Sequence, residues 1–600
     1  MVKNKDRIHA MRHSLAHIMA AAIKELWPEA KFGVGPVIDD GFYYDIDLGD
    51  KAITEDDLPQ IESKMKELIK ADLAFEQFDV SIDEAIKKEN ENNQTYKVEL
   101  LQDLKNKGTT SVNDVDSSTL DVSKIDSVSY YRCGNFEDLC RGPHVESTGK
   151  VGAFKLHKLA GAYWRGNETK PMLQRVYGVA FSNQKELDEY FELMSEAEKR
   201  DHRKLGQELE LFTFSDLVGS GLPLFKPKGA TLRSLLGRYS QQLRQERGFE
   251  EVWIPHVTKV DLYKQSGHWD KFGDELFIVK SQETSDDLAL KPMNCPHHAQ
   301  IYASQMHSYR DLPIKYMENT TVYRDEKSGE LHGLSRVRSI TMDDSHAFAT
   351  PSQVESVVTE LVEAAQELYQ VLGMDLSLRL SFRDNSSNYL GEESLWDEAQ
   401  LSLESIAKKQ KLKYIIEAGE AAFYGPKLDF MAVDAIGREW QLATVQLDFI
   451  QPQRFGLEYV SEDGSRQTPV MVHAALLGSF ERFLSVYIEH TNGRFPFWVA
   501  PDQVRILTVN EDVLGYVEKV TELFSKMVLS RPLKNNQLRF SVDDSNQSLG
   551  KKIHQAETEK IPIILIVGPK DEKSQEVSVR KDGKDQKVEL SKLEEFLLSI

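Results

Sequence analysis

The sequence predicts an α+β protein of several domains. Helical and strand-like patterns fall in separate blocks along 600 residues, and only the last hundred residues alternate them regularly. A chain of this length with 40% hydrophobic residues can bury more than one core, so three or four domains are expected.

The elements support that reading in order. Residues 1–182 form a first segment that opens with an amphipathic helix over 12–27, which Pro28 helps to end. Strand-like runs follow at 41–46 and 152–178, and the stretch 106–129, rich in Ser, Thr, Asn and Asp, reads as an irregular polar excursion. A charged helical pattern over 184–207, containing KRDHRKLG, predicts a connector helix spanning the linker 183–207. The segment 208–497 mixes long helices, as at 352–372, with β-rich runs such as 440–449. In 498–600, VRILTV, a helix over 513–529, LRFSV, a helix over 548–560, IPIILIV, EVSVR and a last helix predict a small α/β domain with a mostly parallel sheet.

Composition excludes several classes. A net charge of -22 argues against a generally basic nucleic-acid coat, though not against a local basic face. Three cysteines cannot make a disulfide framework and suit a reducing compartment. The start MVKNKDRIHAMRH lacks the apolar core of a signal peptide, and no window approaches a membrane span. A cytoplasmic protein without a membrane segment is expected.

Three stretches carry the chemistry. RGFEEVWIP holds Arg247, Gly248, Phe249, Val252 and Pro255; YRDE holds Tyr323, Arg324, Asp325 and Glu326, with Arg336 beyond a loop; ALLGSFERF holds Gly478, Ser479, Phe480, Glu481 and Arg482. Each is weak alone, because an arginine near a glycine is ordinarily a surface or structural residue, and Pro255 alone reads as a strand terminator. Together and in this order they resemble motifs 1, 2 and 3 of the class II aminoacyl-tRNA synthetases. That resemblance implies a class II catalytic core, an antiparallel sheet flanked by helices, over 208–497. Activation joins two anions, an amino acid carboxylate and the α-phosphate of ATP, and a planar, always-charged guanidinium suits that encounter. By resemblance, Arg324 neutralises both anions, Arg482 lies along the adenine and γ-phosphate, and Glu326 reads the adenine amino group. Arg336, Gln441 and Ser479 complete the ATP side, Lys427 faces the phosphates, and Mg2+ accompanies ATP. Motif 1, with Pro255, implies a homodimer.

Longer runs narrow the family. KPMNCPHH, SYRDLPIKYMENTTVYRDEKSGELHGLSRVRSITMDDSHAF, AAFYGPKLDF, WQLATVQLDF and PVMVHAALLGSFERF resemble the threonyl-tRNA synthetases, and the likeness runs from Met11 to the C-terminus. It implies a ligase that activates L-threonine with ATP and transfers it to tRNA(Thr). It also implies one Zn2+ per chain on Cys295, His346 and His473, positions too far apart for any short zinc pattern. Such a set leaves a fourth position open, as a catalytic zinc requires. Met293, Arg324, Asp344, Tyr424 and Gln446 would surround the amino acid. An apolar pocket separates valine from threonine by only roughly 100-fold, whereas a metal bound through amino group and hydroxyl rejects valine. Serine carries both groups and passes, so a second sieve is needed.

The first segment supplies the candidate. His13 and His17 stand at i, i+4 on one helix face, and Cys140-Arg-Gly-Pro-His144 follows much later. The residues alone read equally as a zinc site. The resemblance implies instead a metal-free editing domain over 1–182, in which His13, His17, Lys97, Asp138, Cys140 and His144 position a water that cleaves mischarged seryl-tRNA(Thr). His9 and His157 are read as structural. Members of the family commonly carry a ubiquitin-like domain before this one, and His13 stands so early that its absence is expected. Residues 498–600 resemble an anticodon-binding domain, with Asn546, Asp571 and Arg580 at base-reading positions, although the charge of this segment is nearly balanced. Three positions depart from the family: Ile340 replaces an aromatic residue against adenine, Met342 replaces a glutamine near the amino acid, and His297 replaces a glycine, placing a second imidazole near the metal. A non-catalytic RNA-binding relative would have lost zinc ligands or motif arginines, and an editing-only deacylase would show a decayed centre. The sequence shows neither.

Overall fold

Val470–Ser479 (VMVHAALLGS) is buried along almost its whole length, so both of its faces must be covered. It forms the middle of an eight-stranded sheet in a computed structural model that describes residues 2–109, 126–167, 169–386, 389–410 and 412–600. The strands run in the order Glu250–Glu251, Ile314–Tyr323, Ser339–Ala349, Val470–Ser479, Glu439–Asp448, Lys427–Val433, Asp375–Phe382 and Tyr414–Ala418. Pairing is antiparallel except at the two edge strands. This is the class II architecture expected from the motifs.

Side chains alternate across the sheet with a period of two, which sorts chemistry from core. Val470, Val472, Ala474 and Leu476 join Ala347, Leu428, Phe430, Val445 and Leu380 in one apolar core with the helices Pro227–Gln245, Val354–Leu372 and Phe480–Thr491. The intervening positions, among them Asp344, His346, His473, Gln446 and Lys427, belong to the opposite face. Gly478 closes the central strand at φ 71°, and a Cβ there would lie 2.4 Å from the Leu442 carbonyl oxygen. The chain therefore turns sharply into the helix that begins Phe480-Glu481-Arg482.

The described residues divide into two compact units, 1–195 and 196–600. In the first, the helix Val2–Leu26 begins ten residues earlier than the periodicity suggests and packs with Leu58–Lys70 against the sheet of Gly41–Asp47, Met172–Phe181 and Ala153–Tyr163. The run at 152–178 is thus two strands, joined through the turn Trp164–Gly166. A second sheet pairs Phe75–Ser81, Ser127–Cys133 and Phe136–Leu139. Most of the polar tract at 106–129, from 110 to 125, lies outside the described residues.

The connector is not one helix but two, Gln184–Arg200 and His202–Glu208, and the boundary between the units falls inside the first. Asp201 breaks the run because its carboxylate accepts from the Arg203 N–H at 2.8 Å and caps the second helix. The last hundred residues belong to the second unit. Their sheet is mixed rather than mostly parallel. Phe540–Asp543, Val504–Thr508 and Ile563–Val567 pair in parallel, but Glu576–Lys581 and Lys584–Glu589 add antiparallel strands. The reason is local: Asp582 and Gly583 both take positive φ (50° and 74°), which makes a tight hairpin that can only join antiparallel neighbours.

Replacing Gly478 with alanine forces a side chain into left-handed backbone against a carbonyl. Equilibrium denaturation of Gly478→Ala is expected to show a loss of at least about 2 kcal/mol, and an unchanged midpoint would contradict the close approach.

Candidate active site and editing site

Cys295 opens the helix Cys295–Ala303, and His346 and His473 are cross-strand partners in the central antiparallel pair. Their ligand atoms lie within 4.8 Å of one another and all three side chains are buried. Burial pushes the Cys295 thiol well above its ordinary range and holds His346 well below, with His298 and His473 adding to the latter. The outer partners orient the rings. His473 Nε2 lies 2.9 Å from Asp448 Oδ2, which leaves Nδ1 for the triad, and Asp448 Oδ1 accepts from the N–H groups of Ile450 and Gln451. His346 Nδ1 lies 2.8 Å from His298 Nδ1, and His346 Nε2 is 3.7 Å from Asp344 Oδ1.

His297 stands apart from the ligand cluster, contrary to the sequence expectation. It does not join the triad, because residues two apart on a helix point about 200° away from each other. Both of its ring nitrogens are buried without a partner, and its ring faces Tyr263. The imidazoles that do approach the triad are His298 and His268, whose Nε2 is 3.6 Å from Cys295 Sγ. Neither stood out in the sequence, since contact between distant segments leaves no spacing signal.

Around the triad, Asn294 Nδ2 donates to Asp344 Oδ2 at 2.9 Å. The Tyr424 ring stacks on His473 with centroids 4.9 Å apart, and its hydroxyl donates to Gln446 Oε1 at 2.6 Å. Arg324 Nη2 meets Met293 Sδ at 3.3 Å, the guanidinium lies 4.9 Å over Phe272, and Nε has no partner. Burial lowers the proton affinity of Arg324, which makes it a desolvated cation with donors to spare.

Next to this pocket Glu326 pairs with Arg336 at 2.7 Å. Ser479 Oγ accepts from the Arg482 N–H at 3.2 Å and caps the following helix. Burial lowers the Arg482 guanidinium, and the nearby charge of Arg336 lowers it further. Lys427 Nζ reaches Asp429 Oδ2 at 3.2 Å, and Gln441 Oε1 accepts from Arg379 Nη2 at 2.9 Å. Arg379, unremarked in the sequence, ties these together through Asp429 at 3.3 Å. Ile340 and Met342 occupy the same strand as Asp344 and His346.

In the first unit, Cys140 Sγ lies 3.3 Å from His13 Nε2 and 3.2 Å from His144 Nε2. His144 Nδ1 contacts Ser14 Oγ at 3.1 Å, and its ring stacks on His13. His13, Cys140 and His144 could hold a metal ion by distance alone, but His17 falls outside that set. Lys97 Nζ pairs with Asp138 Oδ1 at 2.7 Å, and both touch the Tyr44 hydroxyl. His13, His17, Tyr44, Lys97, Asp138 and Cys140 line one cavity of about 270 Å³. Burial lowers His13, holds His17 down at about 4 and His144 at about 2, and pushes Cys140 up to about 11. All three imidazoles are therefore neutral at neutral pH, with unpartnered nitrogens on His13 and His17.

The three C-terminal positions are less unified. Asp571 accepts from the Gly568 N–H at 2.9 Å, capping the helix Pro569–Ser574, and also meets Ser578 and Lys587. Arg580 pairs with Glu557 and Asp585, while Asn546 is exposed in a bend.

Three regions of the chain match known family models. Residues 277–491 match the tRNA synthetase class II core domain (G, H, P, S and T), 503–600 the anticodon binding domain, and 128–177 the threonyl and alanyl tRNA synthetase second additional domain. The chain is 46% identical over 584 residues to the threonine–tRNA ligase of Gloeobacter violaceus, covering 96% of this chain and 89% of that one. It is 44% identical over 592 residues to the threonine–tRNA ligase of Bacteroides fragilis, covering 98% and 87%. Among solved structures it resembles the RNA binding domain of threonyl-tRNA synthetase from Cryptosporidium parvum, with 34% identity, a TM-score of 0.62, and coverage of 66% of this chain and 98% of that one. With a class II sheet, a buried Cys–His–His cluster on the face away from its core helices and relatives alike along nearly the whole chain, this protein belongs to the threonine–tRNA ligase family of class II aminoacyl-tRNA synthetases.

Proposed function

We propose that this ligase recognises its amino acid through one zinc ion held by Cys295, His346 and His473, and removes seryl-tRNA(Thr) in its first unit. The observation that carries the reading is the buried triad, two imidazoles and a thiol in reach of one another beside Asp344 and Tyr424. Those donors fit zinc in type and number and leave room for substrate. When bound, zinc supplies a Lewis acid that both the amino group and the hydroxyl of threonine can satisfy and valine cannot.

The residues of the chain do the rest. Asp344, held by Asn294, accepts the substrate hydroxyl proton. Tyr424 and Gln446 wall the pocket. Arg324, buried and short of partners, draws the threonine carboxylate and the α-phosphate of ATP together, so that a carboxylate oxygen attacks phosphorus and pyrophosphate leaves. Glu326, Arg336, Gln441, Ser479 and Arg482 hold the nucleotide, with Lys427 toward the phosphates and Mg2+ as the counter-ion of ATP. In the first unit a neutral imidazole of the His13, His17 and His144 group takes a proton from water, while Lys97, Asp138 and Cys140 orient the ester. The Glu250–Glu251 strand is a sheet edge followed by Trp253, which is 81% exposed, and these with Pro255 suit a homodimer contact. Asn546, Asp571 and Arg580 are assigned to the anticodon. No described helix is long and apolar enough to cross a membrane, and three free thiols suit a reducing cytoplasm.

Metal analysis is expected to find one zinc per chain, lost in Cys295→Ser together with threonine-stimulated ATP–pyrophosphate exchange. Valine should not stimulate exchange, and a variant that retains both zinc and activity overturns the sensing role. Substituting Lys97 or His144 with alanine should slow seryl-tRNA hydrolysis by about 100-fold or more while threonine activation stays intact. Equal loss of both activities would point to misfolding instead. Stability should also follow pH. His17 binds protons less readily folded than unfolded, so its contribution is present above pH 6.5 and is lost as pH falls toward 4. That contribution is on the order of 3 kcal/mol, and the unfolding midpoint of His17→Phe should vary less across this window than that of the wild type.

A further inference from the structure

We propose that His202 is a positioning residue of the nucleotide site, a neutral imidazole protonated on Nδ1 that clips the loop carrying Glu326 and Arg336 to the helix led by Arg482. The inference rests on the assignment of those three residues to ATP made above.

His202 is fully buried at the start of the helix His202–Glu208, within the second unit. Its two nitrogens have different partners. Leu334 N–H donates to Nε2 at 3.1 Å, so Nε2 carries no proton. Nδ1 must then be the protonated nitrogen, and it lies 2.7 Å from Glu489 Oε1. One tautomer satisfies both contacts, and a second proton on the ring would break the bond to Leu334. Glu489 is itself held: it accepts from the His202 backbone N–H at 3.1 Å and pairs with Arg438. Its carboxyl lies below the ordinary range because hydrogen bonds from His202 and Arg438 outweigh the upward push of burial. Asp201, His202 and Glu489 lie near enough together to suggest a metal site, but both ring nitrogens of His202 are already used by protein.

The two ends of the clip lead to the nucleotide residues. Leu334 is buried in the main core two positions before Arg336, and Arg336 closes on Glu326. The preceding Gly333 has φ 50°, and a Cβ there would stand 2.2 Å from His202 Nε2, so the loop approaches the ring as only glycine permits. At the other end Glu489 sits on the helix Phe480–Thr491 two turns after Arg482, on the same face. Arg336 and Arg482 are close enough for like charges to act on each other. Their mutual position cannot come from their own attraction, and a neutral bridge behind them supplies it.

His202→Asn keeps a donor for Glu489 and loses the acceptor for Leu334, and His202→Phe keeps the ring and loses both. In ATP–pyrophosphate exchange both are expected to raise KM for ATP about tenfold with kcat within about twofold, leaving KM for threonine and seryl-tRNA hydrolysis unchanged. An unchanged KM for ATP, with or without a lower unfolding midpoint, overturns the clip and leaves His202 as packing alone. Arg336→Ala and Arg482→Ala separate the two levels. If they raise KM for ATP and His202→Asn does not, only the clip fails; if they too leave it unchanged, the nucleotide assignment fails and the clip with it.

Discussion

His346 and His473 face each other because two strands, Ser339–Ala349 and Val470–Ser479, pair in one antiparallel register. Side chains alternate across a sheet, so a slip of one residue in either strand would turn its imidazole under the helices and put an apolar residue in its place. The register is held from the core side, where Val472, Ala474, Leu476 and Ala347 are locked among helices. Apolar packing on one face therefore sets the geometry of the polar face. Asp344, Gln446, Lys427 and Asp448 arrive beside the triad by the same rule, each on a strand whose alternate residues are core.

Burial then tunes what the register delivers. Burial disfavours the protonated forms of His346 and His268, and orientation comes from fixed partners: Asp448 for His473, His298 for His346, Asn294 for Asp344. Around Arg324 and Arg336 charge is used differently. Arg324 is desolvated and short of partners, whereas Arg336 and Glu326 neutralise each other. A site that must admit several negative groups benefits from one cation kept unsatisfied and others kept in reserve. The His202 contact belongs to the same economy of fixed neutral bridges, acting from behind the loop.

The first unit reaches a related end by another architecture. A helix supplies His13 and His17, a separate strand and loop supply Asp138, Cys140 and His144, and the helix Thr95–Lys107 supplies Lys97. All of these but His144 line a small cavity of about 270 Å³, and burial disfavours the protonated forms of His17 and His144. His13, Cys140 and His144 have ligand atoms within 4.8 Å of one another, while His17 and the Lys97–Asp138 pair stand outside that set.

What the sequence by itself determined was the local and the linear. The long helix at 352–372 and the β-rich run at 440–449 could be read because apolar periodicity is a property of neighbouring positions, whereas Cys295, His346 and His473 were singled out only by the likeness of longer runs to a family. The ends of elements were less legible: Asp201 breaks the connector and Asp582-Gly583 turns the last sheet antiparallel through single-residue backbone preferences that periodicity overrides on paper. Only the tertiary structure decided which side chains meet. His297 looked like the extra imidazole near the metal, yet helical rotation carries it away and brings His298 in. His268, Arg379 and His202 carried no signal at all, because each contacts residues far along the chain. A contact between distant segments depends on how the whole core packs, and no short window of residues contains that information.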